Sequence, residues 1–110
     1  MTLPFSKTRR VGSTVYLSGE IGFAPDGTVP AGIEAQTRNI FARLSATLEA
    51  EGLTLGHVVS ATCYLTDAAD FAAFNAVYAE HFSDPLPVRT TVRCDLMIDA
   101  KVEITVIAEA

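Results

Sequence analysis

Arg89 and Glu103 are the two residues whose types and setting could do chemistry. Each interrupts a short apolar stretch, "PVRTTV" and "KVEITV", where a charge is costly unless it is paired or used. An arginine fork can grip a carboxylate at two points, which a lysine cannot reproduce. A glutamate within hydrogen-bond reach of a reacting centre can position a water or take its proton. The same two side chains would also serve as a structural ion pair at a contact between subunits. Other candidates are weaker. His57 and His81 are isolated histidines, and Cys63 and Cys94 form no CxxC pair, so both thiols read as small packing residues with a disulfide as the alternative. No metal-ligand cluster, Walker motif or GxGxxG is present, which leaves metal and nucleotide chemistry without support.

The elements that must position these residues follow from periodicity. Residues 6–11 and 14–18 flank Gly12-Ser13, a pair suited to a two-residue hairpin turn. From Ile33 the period becomes helical, with Ile33, Thr37, Ile40, Phe41, Leu44 and Leu48 on one stripe and Gly52 as a left-handed cap, predicting a helix over 32–51. Residues 57–66 alternate, with Val59, Ala61, Cys63 and Leu65 on one face. Asp67 and Asp70 suggest a carboxylate variant of the capping box ahead of Phe71, Phe74, Tyr78 and Phe82, predicting a second helix that ends near Ser83-Asp84-Pro85. Strands over 88–95 and 101–108 complete the order ββαβαββ.

Two helices cannot cover both sides of so wide a sheet, so both are expected on one face of a mixed sheet, an α/β (α+β) arrangement. Alternation puts Val102, Ile104 and Val106 on one face of the last strand and Glu103, Thr105 and Ile107 on the other. By the same rule Val88, Thr90, Val92 and Cys94 are expected to pack inward, while Arg89, Thr91 and Arg93 join Glu103 on the uncovered face. Ile107 among polar neighbours there suggests cover by another subunit, most simply in a closed ring.

At 110 residues the chain is expected to form one domain, residues 1–110. Hydrophobic residues make up 49% and charged ones 19%, with no apolar run near the ~18 residues of a membrane span. No charged segment leads into an apolar one at the N-terminus, so a cytoplasmic location and no membrane partner are expected. A net charge of −5 argues against broad electrostatic binding of nucleic acid.

Five segments carry a resemblance: "YLSGEIG", "EAQTRNIFARLSATLEAEG", "TCYLTDAADFAAFNAVYAEHF", "LPVRTTV" and "KVEITVIA". In this order, from about Pro4 to Ala108, they resemble the successive blocks of the RidA family, also called the YjgF or endoribonuclease L-PSP family. The resemblance implies a chorismate-mutase-like fold, a homotrimer with its sheets packed into a central barrel, and clefts between subunits. It implies hydrolysis of reactive 2-enamine and 2-imino acids to 2-keto acids and ammonia, without a cofactor or metal. By position, Arg89 matches the arginine that grips the substrate carboxylate and Glu103 the glutamate associated with the hydrolytic water. Ser18 and Gly19 match the Ser-Gly that lines the pocket. Thr90 stands in place of serine, and Thr91 falls where cysteine is frequent and acts through its backbone. Phe5 stands where the family supplies a tyrosine, and Glu20 where glutamine is usual; both bear on the choice of substrate.

Three functions are therefore expected in order: an imine deaminase; a trimer that binds a small 2-imino or 2-keto carboxylic acid without turnover; and an endoribonuclease, which the acidic balance and the absence of a basic aromatic track oppose.

Overall fold

The computed structural model describes residues 2–110. A hairpin of β1 (Thr8–Val11) and β2 (Thr14–Leu17) turns at Gly12-Ser13, with Val11 paired to Thr14. A two-residue strand that periodicity could not reveal, β3 (Glu20–Ile21), follows and pairs with the last strand. Then come α1 (Ile33–Ala50), β4 (Val58–Leu65), α2 (Phe71–Ala79), β5 (Val88–Arg93) and β6 (Val102–Glu109). The sheet order is β1-β2-β6-β4-β5, with β3 also on β6; only β4 and β5 run parallel.

The predicted stripe of α1 is buried throughout, from Ile33 to Leu48, and Gln36 and Thr47 join it. Gly52, at φ 75°, ends the helix: its N–H donates to the Glu49 carbonyl and the Leu53 N–H to the Leu48 carbonyl, both at 2.9 Å. This is a Schellman cap, and Leu53 is buried beside it. The core lies between this helix, Phe74 and Tyr78 of α2, and the inward residues Ala61, Cys63, Val102, Ile104 and Val106 of the sheet. Each large apolar side chain so buried contributes roughly 1.5–3 kcal/mol. Gln36 ties the layers where the site begins. Its amide nitrogen donates to the Pro30 carbonyl and its oxygen accepts from the Lys101 N–H, each at 2.8 Å.

Four local expectations are corrected. A register shift between Val58 and Ser60 puts Val58 in the core and leaves Val59 exposed. Asp67 accepts from the Ala69 N–H at 2.9 Å and caps a 3-10 turn, whereas Asp70 closes no capping box and lies 3.5 Å from the Lys101 ammonium. α2 itself stops at Ala79, short of the expected end.

The fourth concerns β5. Arg89 pairs with Ala61 and Thr91 with Cys63, both on the helix-covered side, so Arg89 and Thr91 face inward. Val88, expected in the core, is 71% exposed, and Val92 is exposed as well. The reason lies in the sheet order: β5 is an edge strand, and its inner face meets α2 where a long side chain can reach out past the rings. Glu103 is on the uncovered face as expected, between buried Val102 and Ile104. Arg89 and Glu103 therefore lie on opposite sides of one sheet. The uncovered face carries Tyr16 beside Ile107, the row Thr90, Thr62 and Thr105, and Val92 beside Tyr64.

Candidate functional site

Two cavities hold the residues that the sequence singles out. The first, about 530 Å³, is lined by Asn75, Tyr78, Phe82, Leu86, Pro87 and Arg89. The Arg89 guanidinium carbon stands 4.7 Å from the Tyr78 ring centroid, 5.7 Å from that of Phe74 and 5.8 Å from that of Phe71. The expected aromatic stripe of α2 is thus core on one side and a platform for a cation on the other. Ring faces attract a guanidinium by about 0.5–2 kcal/mol and fix its plane, yet do not neutralise it. Among the described residues no carboxylate lies within ion-pair distance of Arg89, while Arg10, Arg38, Arg43 and Lys101 all have one. The charge is held and unspent.

Polar atoms beside it are also without partners. Asn75 Oδ1 and the Tyr78 hydroxyl are buried and make no hydrogen bond among the described residues. Natural structures leave few such groups unmet, and they cluster where a ligand or water is handled. Burial, and then the neighbouring Cys63 thiol, pushes the Tyr78 hydroxyl up to about 12 against the pull of Arg89, so it stays neutral and able to donate. Burial likewise pushes the Cys63 thiol up to about 11, although Arg89 and Thr91 oppose it. Cys63 is therefore a packed thiol and no nucleophile.

The second cavity, about 670 Å³, gathers Phe5, Ser18, Gly19 and Glu103. Its geometry explains the Ser-Gly pair. A Cβ on Gly19 would run into Glu103 Oε2, so only glycine lets the carboxylate settle against the backbone of the strand connection. Ser18 works differently: its hydroxyl donates to the Ser6 carbonyl at 2.6 Å, and its N–H to the Lys7 carbonyl at 3.0 Å. Those bonds hold the N-terminal lead across the cavity mouth and place Phe5 there, 61% exposed.

Burial raises the Glu103 carboxyl above its ordinary value, and the charge of Glu20 adds to the rise. Glu20 itself is buried, and its carboxylate accepts from Arg43 Nε at 2.5 Å. The extra negative charge is thus met by an internal cation, which also lies over the Phe23 ring at 5.5 Å. A carboxyl with a raised pKa is a stronger base than an ordinary carboxylate once ionised, and so better suited to take a proton.

Of the residues singled out, Phe5, Ser18, Gly19 and Glu103 share one cavity, and Arg89 with Thr91 behind it belongs to the other. Thr90 lines neither; it sits exposed in the threonine row of the uncovered face. Asn75 and Tyr78 join the Arg89 cavity, although from the sequence the stripe with Tyr78 reads as core and Asn75 as a residue that bonds a loop or faces solvent. The histidines are structural. His57 closes a capping box with Thr54, and His81 stacks on Phe41 at 4.3 Å with Nδ1 donating to the Val77 carbonyl at 2.8 Å.

Comparison with known proteins agrees with this fold. The chain is 41% identical over 109 residues to a RutC family protein of Saccharolobus solfataricus, covering 96% of this chain and 86% of that one. It is 36% identical over 104 residues to the 2-iminobutanoate/2-iminopropanoate deaminase of Dermatophagoides farinae, covering 92% and 81%. The crystal structure of RidA from an Antarctic Psychrobacter superposes with a TM-score of 0.94 at 36% identity, over 100% of this chain and 91% of that one. No helix among the described residues is long and apolar enough to cross a membrane. With the family model described as Endoribonuclease L-PSP matching residues 1–110, the chain belongs to the RidA, or endoribonuclease L-PSP, family.

Proposed function

We propose that this protein hydrolyses reactive 2-imino acids, and the enamines that tautomerise to them, to 2-keto acids and ammonia. We place the reaction in a cleft formed when three copies assemble. The observation that carries the reading is Arg89: a guanidinium fixed over three rings, with no carboxylate of its own, is a receptor for one. Glu103, Gly19, Ser18 and Phe5 supply the other wall from the neighbouring copy. The uncovered sheet face, with Val88, Tyr16, Ile107 and its threonine row, supplies the surface on which copies meet.

In the reaction, Arg89 holds the substrate carboxylate. Water adds its oxygen to the imine carbon while the Glu103 carboxylate takes a proton from that water and passes it to the imine nitrogen, so that the C=N bond becomes single and a carbinolamine forms. The carbinolamine then collapses: Glu103 takes its hydroxyl proton as the C=O bond forms and delivers that proton to the amine, which departs as ammonia. One water is consumed and one ammonia released, with no change of oxidation state. The Tyr78 hydroxyl, and Asn75 through its amide N–H, share the Arg89 cavity and can donate to the carboxylate oxygens. Imines hydrolyse unaided, so orientation and a general-base effect of about 10²–10⁴ suffice.

Glu103→Gln tests the reading. Keto-acid release above the spontaneous rate is expected to fall by about 10²-fold or more, with binding of a 2-keto acid retained. Retained turnover would remove Glu103 from the chemistry. No turnover by the unmutated protein, with keto-acid binding intact, would leave a trimeric binder instead. The raised carboxyl also fixes the direction of the pH profile. Glu103 must be ionised to accept a proton, so kcat/KM is expected to drop on acidification, with a midpoint above the ordinary 4.5.

A further inference from the structure

The cavity around Glu103 is larger and more apolar than the hydrolysis itself requires. Its 670 Å³ is within the range of about 300–1,000 Å³ that takes a drug-sized ligand. Large apolar side chains reach it from three separate stretches: Leu3 and Phe5 of the N-terminal lead, Phe23 after β3, and Met97 with Ile98 between β5 and β6. Met97 is 98% exposed, and Leu3, Phe5 and Ile98 are also exposed. Apolar groups that converge on a single carboxylate stay in water at a cost, which a ligand relieves by covering them.

The charges present are mostly spoken for. Arg43 is bonded to Glu20, and Lys7 alone adds a cation. The Arg89 cavity continues the pattern, with Phe82, Leu86 and Pro87 around the guanidinium. A substrate with a one- or two-carbon side chain would touch few of these walls.

Resting on the deaminase reading above, we propose that the Glu103 cavity receives the substrate side chain and selects bulky apolar 2-imino acids, of the leucine, methionine and phenylalanine class, over the alanine-derived one. Phe5 belongs to this selectivity. A ring in place of a phenol keeps the apolar wall unbroken, and the Ser18–Ser6 bond holds that ring at the mouth.

The test uses the whole protein with imines generated in place from alanine, leucine and phenylalanine by an L-amino-acid oxidase, following keto-acid release above the spontaneous rate. Each methylene taken from water favours binding about four-fold. Three additional side-chain carbons should therefore give the leucine-derived imine a kcat/KM about 50-fold above the alanine-derived one. Met97→Ser and Ile98→Ser should lower that ratio several-fold; both alter exposed side chains, so folding is retained. Acceleration of both imines with a ratio near one would overturn the selectivity and leave the deaminase reading standing. Equal losses on both imines in the two variants would also overturn it, because the residues would then serve subunit contact. No acceleration of any imine would sink both.

Discussion

Chains carrying Arg89→Ala, co-expressed with chains carrying Glu103→Gln, are expected to recover about a quarter of the native deaminase activity, although each variant alone has lost it. The loss in Arg89→Ala follows from the two-point contact. Hydrogen bonds to charged groups contribute about 1.5–3 kcal/mol each, so removing the fork should lower kcat/KM by roughly 10²-fold or more. Arg89→Lys should stay low as well, since an ammonium is a point charge that cannot match both carboxylate oxygens. Recovery on mixing follows from the sheet. Arg89 faces α2 and Glu103 the uncovered side, in separate cavities. In the proposed assembly a working site takes Arg89 from one copy and Glu103 from the next, and random assembly joins two intact halves in about one junction of four. Mixed assemblies that form and stay inactive would mean that one chain provides both groups.

The second large effect is expected at Gly19. In Gly19→Ala the new Cβ meets Glu103 Oε2, with Glu103 Cδ and Thr105 Oγ1 each 3.0 Å away. The far end of a flexible side chain can swing aside, so the fold should tolerate the change. The carboxylate, however, leaves the position that the proposed proton transfer requires. Turnover should drop by about 10²-fold, close to the loss in Glu103→Gln, with the melting temperature shifted by only a few degrees. A large fall in melting temperature with turnover per folded molecule unchanged would show that Gly19 serves the fold and leaves Glu103 undisturbed.

Much of the architecture is legible in the residues, and the exceptions share a cause. The α1 stripe is unambiguous because a helix with one buried face repeats its apolar positions at a fixed spacing, and Gly52 marks its end. In β5, alternation separates Arg89 and Thr91 from Val88 and Val92 but cannot say which set faces the helices. Hydropathy chooses the valines, and that choice fails because the strand is at the sheet edge and its other face is apolar as well. The bulge at Val58 is hidden for a similar reason: one extra residue among "VVSA" leaves the composition unchanged while reversing the phase. At the candidate site, Glu103 and Arg89 stand out as charges in apolar strands, and Ser18 with Gly19 stand out only by resemblance. Tyr78 and Asn75 are lost in a helix whose aromatic spacing reads as core. Their polar atoms gain meaning only when Arg89 is seen beside them.

The strand order has one more consequence, for how the chain acquires its structure during synthesis. β6 follows the other five strands along the chain, yet it lies in the middle of the sheet, against β2, β3 and β4. Its inward residues Val102, Ile104, Val106 and Ala108 are wholly buried. Until they leave the ribosome, the N-terminal hairpin and the β4–β5 pair have no common neighbour. The nascent chain therefore carries two unjoined parts of a sheet with open edges. Val102–Glu109 then closes both at once through sequence-distant pairing, the kind of contact that forms slowly.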